Sequence, residues 1–448
     1  VKFDQIFLER ESPMSGQPQM PNDLDSFWMP FTASRWFKQN PRMIAAADGI
    51  HYTTVDGHRV IDGTGGLWCC NAGHNHPKIV EAIQTQAASL DFAHNFNQGH
   101  PVAFQAANRM VELTDHFDHI FFTNSGSEAV DTALKIALAY HQARGEGQRR
   151  MLVGRQKAYH GINFGGLSVG GIGLNKGQFG TLYPSTAHMR HTWLAENFFS
   201  RGQPEHGAYL AEDLQQICET YGGHAIAAVI VEPVIGAGGV LPPPQGYLER
   251  IRDICDQHGI LMIMDEVITG FGRMGTAFGH QHFGIKPDLM TVAKGMTNAT
   301  VPMGGVFATE TIRQAFLNGP ETMVDLFHGY TYSGHPLASA AAIATLDVYR
   351  DEGIFENAAQ MASVWEDMLH GLKGAPGVID IRNAGLLGAI QLEQNGAVGA
   401  AGRAAYEALW DKGLSVRPIG DSLAMSPPLT LTESQITEIG DLLASVLK

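Results

Sequence analysis

The chain has 448 residues, of which 44% are hydrophobic and 17% charged, the make-up of a folded globular protein rather than a disordered one. Its formal net charge of −15, with no run of Lys or Arg, repels phosphate backbones and argues against a nucleic-acid partner. The longest apolar runs, such as Ala225 to Val231, are too short to cross a bilayer, and the N-terminal "VKFDQIFLERESPMSGQPQ" lacks the basic-then-apolar order of a secretory leader. Cys69, Cys70, Cys218 and Cys255 have no metal-ligand spacing, so the expectation is a cytoplasmic protein with reduced thiols, no membrane partner and no metal.

The length exceeds what one core usually organises, which predicts two domains of unequal size. After a Pro-rich lead to about Pro41, "MIAAADGIHYTTVDGHRVIDGTGG" carries two Asp-Gly turn signals, at Asp48-Gly49 and Asp56-Gly57, and predicts a small antiparallel meander. Helices opening at Pro77 and Pro101 then lead into the strand "HIFFT", the helix "SEAVDTALKIALAYHQA" and the strands "RMLVG", "AIAAVIV", "ILMIM" and "LMTVA". Strands alternating with amphipathic helices predict a mostly parallel sheet covered on both faces. From His335 a long Ala-rich helix leads to "VIDIRN", "GLLGAIQLE", a further helix and "LSVRP", a separate α+β lobe with no flexible linker before it.

Three strand ends carry chemistry. "FFTNSGSEAVDTALK" opens a helix with capping-box spacing between Ser125 and Glu128, and Gly126 permits close approach, so the free N-H groups read either as an anion cup or as an ordinary cap. "ILMIM" is followed by Asp265 and Glu266; Asp265 reads as a functional acid or as the partner of Arg273, whereas Glu266, on the other side of the pleat, reads as structural. "LMTVA" is followed by Lys294, either a buried amine of lowered pKa or a lysine whose head reaches water. In doubly wound sheets the carboxyl ends of the strands face one crevice. An anion cup, an acid and an amine there suit one ligand with a phosphate, a ring nitrogen that works protonated and an aldehyde, which describes pyridoxal 5'-phosphate (PLP). The pairs in "GHNHP" and "GHQHF" have i,i+2 spacing without a third ligand and read as structural histidines.

The motifs "TNSGSEAVDTALKIAL", "AYHG", "VEPV", "MDEVITGFGRMG" and "AKGMTN" resemble, in this order and over essentially the whole chain, the class III aminotransferases, also called the ω-aminotransferase family. "GLWCCNAGH" and "VRPIGDSLAMSPPL" are similar to the subgroup typified by β-alanine:pyruvate, or ω-amino acid:pyruvate, aminotransferases. The resemblance implies an α/β protein of PLP-dependent transferase fold type I. Its large domain, with a mostly parallel sheet, would be residues 66–330, and residues 1–65 and 331–448 would together make a small α+β domain. By matching position, Lys294 would hold PLP covalently and move the substrate proton, and Asp265 would keep the pyridine nitrogen protonated. Val267 and Tyr159 would pack on the two ring faces, Ser125, Gly126 and Ser127 would bind the phosphate, and Glu232 would support the pocket. Thr331 would reach the phosphate of the neighbouring subunit's cofactor, which implies a homodimer or homotetramer with shared active sites. Arg417 would bind the substrate carboxylate, and Trp68 would line the substrate pocket, with Phe31 a further candidate there. Ala299 stands where the family often has Gly.

The implied reaction is ping-pong transfer of an amino group from β-alanine or another ω-amino acid or amine to pyruvate. γ-Aminobutyrate and aryl amines are alternative donors. Decarboxylases and aminomutases of the same fold share the lysine, the acid and the phosphate cup, so those residues alone do not choose the reaction. A catalytically silent binding module on this fold would be expected to lack Lys294 or Asp265.

Overall fold

In the computed structural model, which describes residues 20, 23–180 and 182–447, the chain forms three sheets among those residues. The reading of residues 1–19 as an irregular lead without leader order lies outside them. The first strands are β1 (Ile44–Asp48), β2 (His51–Thr54) and β3 (Arg59–Asp62). The middle of the chain holds β4 (His119–Thr123), β5 (Met151–Arg155), β6 (Thr186–Met189), β7 (Ile226–Val231), β8 (Leu261–Asp265), β9 (Leu289–Val292) and β10 (Gly304–Ala308). The last strands are β11 (Val378–Ala384), β12 (Leu387–Leu392), β13 (Leu414–Ser415), β14 (Arg417–Ile419) and β15 (Ser422–Met425).

The two Asp-Gly turns make the expected meander: β1, β2 and β3 pair antiparallel, with Gly49 and Gly57 at φ of 53° and 84°, a region that glycine enters without steric cost. Its fourth strand comes from the far end of the chain, because β13 pairs parallel with β3 through Leu414 and Ile61. The seven-stranded sheet has the order β4-β10-β9-β8-β7-β5-β6, parallel except for β10, which runs antiparallel to both neighbours.

Every residue of β7 and β8 is buried, the mark of strands covered on both faces. The pleat divides their side chains. Val229, Val231, Met262 and Met264 pack with Tyr247, Ile251 and Ile254 of the helix Tyr247–His258, while Ala228, Ile230 and Ile263 pack with Ala133, Leu134 and Ala137 of the helix Gly126–Ala143. Burying one such Ile or Leu contributes about 1.5–3 kcal/mol, and a charge at Ile251 would forfeit that and bury an unpaired ion as well.

Two local readings change. "LSVRP" is not one strand: the chain breaks at Val416, β13 joins β3 and β14 pairs with β15, where Pro418 is tolerated because β14 is an edge strand. β10 lacks a periodic signature because it opens with two glycines. Gly304 is required there, since a Cβ would sit 2.5 Å from the Ser125 carbonyl oxygen, so β10 makes room for the turn that follows β4. All four cysteines are free thiols.

Candidate active site

The parallel strands end at one edge, and all of them but β6 deliver residues to the same cavity. The residues after β4, β5, β7 and β9 and the last residue of β8 bring together Ser125, Gly126, Ser127, Tyr159, Glu232, Asp265, Val267 and Lys294.

Ser125 caps the helix Gly126–Ala143, its Oγ accepting the Glu128 N-H at 3.2 Å. Glu128 reaches back one residue further than a capping box requires, its Oε2 accepting from the Asn124 N-H at 2.8 Å. A Cβ on Gly126 would meet Val267 at 3.0 Å, so glycine is what lets this helix start close against the β8 loop. Ser127 Oγ accepts from the Ile162 N-H at 3.1 Å, which leaves its own proton free for an anion at the helix terminus.

Asp265 is 5% exposed and does not pair with Arg273. Its carboxylate accepts the His160 ring Nδ1–H at 2.7 Å, the Thr291 hydroxyl at 3.1 Å and the Val267 N-H at 3.2 Å. Glu266 is fully buried away from the cavity and is satisfied by the Thr269 hydroxyl and the N-H groups of Gly279 and His280. Glu232 accepts from the Tyr159 N-H at 3.0 Å and the Gly236 N-H at 2.8 Å, and so ties the loop after β5 to the loop after β7. Burial raises its pKa.

Lys294 sits at φ 52° in the tight turn after β9. Burial lowers its pKa to about 8, against the opposing pull of Cys69, Asp265 and Glu232. A share of this amine is therefore neutral and nucleophilic near neutral pH. Its Nζ lies 5.7 Å from the centroid of the Trp68 ring, and Trp68 is 3% exposed. Gly236 has no Cβ to collide with that indole. Arg417 opens β14 and makes no side-chain hydrogen bond or ion pair with any described residue. Burial lowers its pKa, with Tyr159 opposing.

Thr331 and Phe31 do not line the cavity of this chain: Thr331 is exposed, and Phe31 is 71% exposed at φ 48°. His160 carries no signal of its own in the sequence beyond adjoining Tyr159 in "AYHG", and only the fold brings it to Asp265. Of the histidine pairs in "GHNHP" and "GHQHF", His74 bonds Asp62 and His280 bonds Glu266, and no cluster fit for a metal ion occurs among the described residues.

An anion cradle, a held carboxylate and a buried amine of lowered pKa meet around one cavity. The chain belongs to the class III aminotransferases: the family profile described as "Aminotransferase class-III" matches residues 32–447. It is 53% identical over 429 residues to an omega-aminotransferase of Caulobacter vibrioides, covering 95% of this chain and 98% of the relative. To a beta-alanine–pyruvate aminotransferase of Pseudomonas aeruginosa it is 44% identical over 442 residues, covering 97% and 98%. Among solved structures, the omega transaminase of Pseudomonas jessenii in complex with PMP superimposes with a TM-score of 0.90 at 32% identity, covering 94% of this chain and 95% of that one. The fold is that of the PLP-dependent transferases of fold type I.

Proposed function

We propose that this aminotransferase moves an amino group from β-alanine or another ω-amino acid or amine to pyruvate by a ping-pong mechanism, with PLP as its cofactor. The observation that carries the reading is the convergence of Lys294, Asp265 and the Ser125–Ser127 turn on one cavity, in a chain 44% identical to a beta-alanine–pyruvate aminotransferase. The groups present fit PLP: a helix terminus for the phosphate, a buried carboxylate for a protonated ring nitrogen and an amine for the aldehyde.

When bound, PLP supplies an electron-withdrawing ring that stabilises negative charge at the substrate carbon. Lys294 would hold the cofactor through its amine and would move a proton at Nζ. Asp265, oriented by His160, would hold the ring nitrogen in its protonated form. Ser125, Gly126 and Ser127 would bind the phosphate and Val267 and Tyr159 would pack on the ring, while Glu232 holds the Tyr159 backbone. Arg417 would take the substrate carboxylate, and Trp68, beside Lys294, would shape the substrate pocket. Thr331, exposed on one chain, would reach the partner's cofactor phosphate in a homodimer or homotetramer. The division into residues 1–65, 66–330 and 331–448 belongs to this reading, supported by the pairing of β3 with β13, as does a cytoplasmic location. No helix among the described residues is long and apolar enough to cross a membrane.

The test is the visible spectrum of the holoenzyme. A yellow band that bleaches with β-alanine alone and returns with pyruvate is expected; a band indifferent to β-alanine refutes the donor, and turnover without a keto acid would indicate a decarboxylase or an aminomutase.

A further inference from the structure

The cavity is built on the seven-stranded sheet, whereas Arg417 arrives on β14 of the β11-β12-β15-β14 sheet, and its charge acts on both Tyr159 and Lys294. The distance from Arg417 to the cavity therefore depends on how the two sheets are held against each other. Arg382, on β11, stands at that junction and is 6% exposed. Its Nε–H donates to the carbonyl oxygens of Gly239 and Val240, at 3.0 and 3.2 Å, in the turn after β7. Its Nη2 donates to Ser422 Oγ at 2.9 Å, and its Nη1 to Asp380, which is fully buried.

Both ends of this bridge lead to the site. The turn begins at Gly236, whose N-H donates to Glu232, and Glu232 in turn accepts from the Tyr159 N-H. A Cβ on Gly238 would lie 2.2 Å from the Lys157 carbonyl oxygen, so the turn lies flush on the loop that carries Tyr159. Val240, a fully buried β-branched residue, is held at φ 52°, a conformation that only its surroundings can enforce. On the other side, Ser422 opens β15 and pairs with Ile419 of β14, the strand that starts at Arg417. Asp380 also accepts from the Trp193 Nε1–H at 2.9 Å and the Phe199 N-H at 2.7 Å, and the Arg382 guanidinium lies 5.1 Å from the centroid of the Trp193 ring. A buried ion pair adds little net stability over an apolar pair of the same size, so what this one contributes is register.

We propose that Arg382 is a positioning residue for carboxylated substrates: on the reading that Arg417 takes the substrate carboxylate, the fork of Arg382 sets how far that carboxylate sits from Lys294. The turn is also closed from its own side, by the paired backbone hydrogen bonds of Ile235 with Leu241 and by Glu232. Loosening Arg382 therefore leaves the cavity wall in place and lets the β14–β15 hairpin drift. That harms a substrate that needs Arg417 and spares one that does not. A lysine at 382 keeps a charge for Asp380 but lacks the planar fork that spans the turn and Ser422.

The test is the second half-reaction of amine-loaded enzyme with pyruvate and with propanal, in Arg382→Lys and Ser422→Ala, each made in the native chain and in Arg417→Ala. Arg382→Lys is expected to lose about tenfold in kcat/KM with pyruvate and less than about twofold with propanal, the scale of a misplacement below 1 Å. Ser422→Ala severs only the tie to the hairpin and carries the test should Arg382→Lys not fold; it is expected to show the same split at about threefold, from one lost hydrogen bond. Neither is expected to lower the pyruvate rate further in Arg417→Ala, because residues that act through one another do not add. Equal losses with both acceptors, no loss with either, or a pyruvate loss that persists in full in Arg417→Ala overturns the proposal. If Arg417→Ala treats the two acceptors alike, the carboxylate role of Arg417 falls and that of Arg382 with it. If Arg417→Ala discriminates while Arg382→Lys and Ser422→Ala do not, Arg417 stands and only the role of Arg382 is overturned.

Discussion

Arg417→Ala is the perturbation that most directly probes how one cavity serves two kinds of substrate. The guanidinium is partly buried and has no counter-ion among the described residues, so part of its hydration is already lost and its donors are uncommitted. A carboxylate placed against it gains a bidentate, charge-assisted pair, about 1.5–3 kcal/mol and therefore about 10–150-fold in kcat/KM for pyruvate. An acceptor without a carboxylate, such as propanal, makes no such pair and should lose little or gain slightly, because a poorly solvated cation has been removed. The assay is the second half-reaction of amine-loaded enzyme with pyruvate and with propanal, in the native chain and in Arg417→Ala. Arg417→Lys, which keeps the charge but not the planar fork, should fall between them. Equal losses with both acceptors would refute the reasoning, since the arginine would then act on structure and not on the carboxylate.

Three further outcomes follow from the geometry. His160→Ala removes the 2.7 Å bond that orients Asp265 and is expected to lower kcat by about 5–150-fold, from the 1–3 kcal/mol of a lost buried hydrogen bond, with steady-state kinetics and cofactor retention as the readouts. In the cofactor-free chain the Lys294 amine has its pKa lowered from 10.5 to about 8, so between these values the unfolded chain binds more protons than the folded one and stability rises with pH. Urea midpoints should therefore show the native chain gaining on Lys294→Met, by on the order of 3 kcal/mol in total, as pH rises from 8 to 10.5; a gap that stays constant or widens would contradict the shift. Ala299 holds φ 58°, so Ala299→Gly is expected to stabilise by up to about 1 kcal/mol, read as a rise in Tm.

What was legible in the sequence was what periodicity and strand ends encode. The uniformly apolar runs of β7 and β8 announced strands covered on both faces, and the polar residues at or just beyond the ends of β4, β8 and β9 announced a shared edge. What stayed hidden depends on contacts between distant segments. His160 matters because it meets Asp265, 105 positions away, and the reversal of β10 depends on the space that Gly304 leaves for Ser125. The exposure of Thr331 and Phe31 belongs to a single chain and carries no sequence signal at all.

The adjacent acids Asp265 and Glu266 show how little local sequence separates a reactive group from a structural one. Both are buried carboxylates at the end of the same strand, and the pleat sends them to opposite sides. Glu266 enters the loop at Gly279 and His280, where backbone N-H groups consume its acceptor capacity and anchor that loop to the sheet. Asp265 turns into the cavity, where its three donors fix the carboxylate from the protein side while its open flank faces Lys294 and the Ser125 turn. A swap of the two residue types would leave each position acidic. The longer Glu at 265 would overrun the His160 bond and the shorter Asp at 266 would fall short of Gly279, so loss of function and loss of stability would arise together from a change that preserves composition and charge.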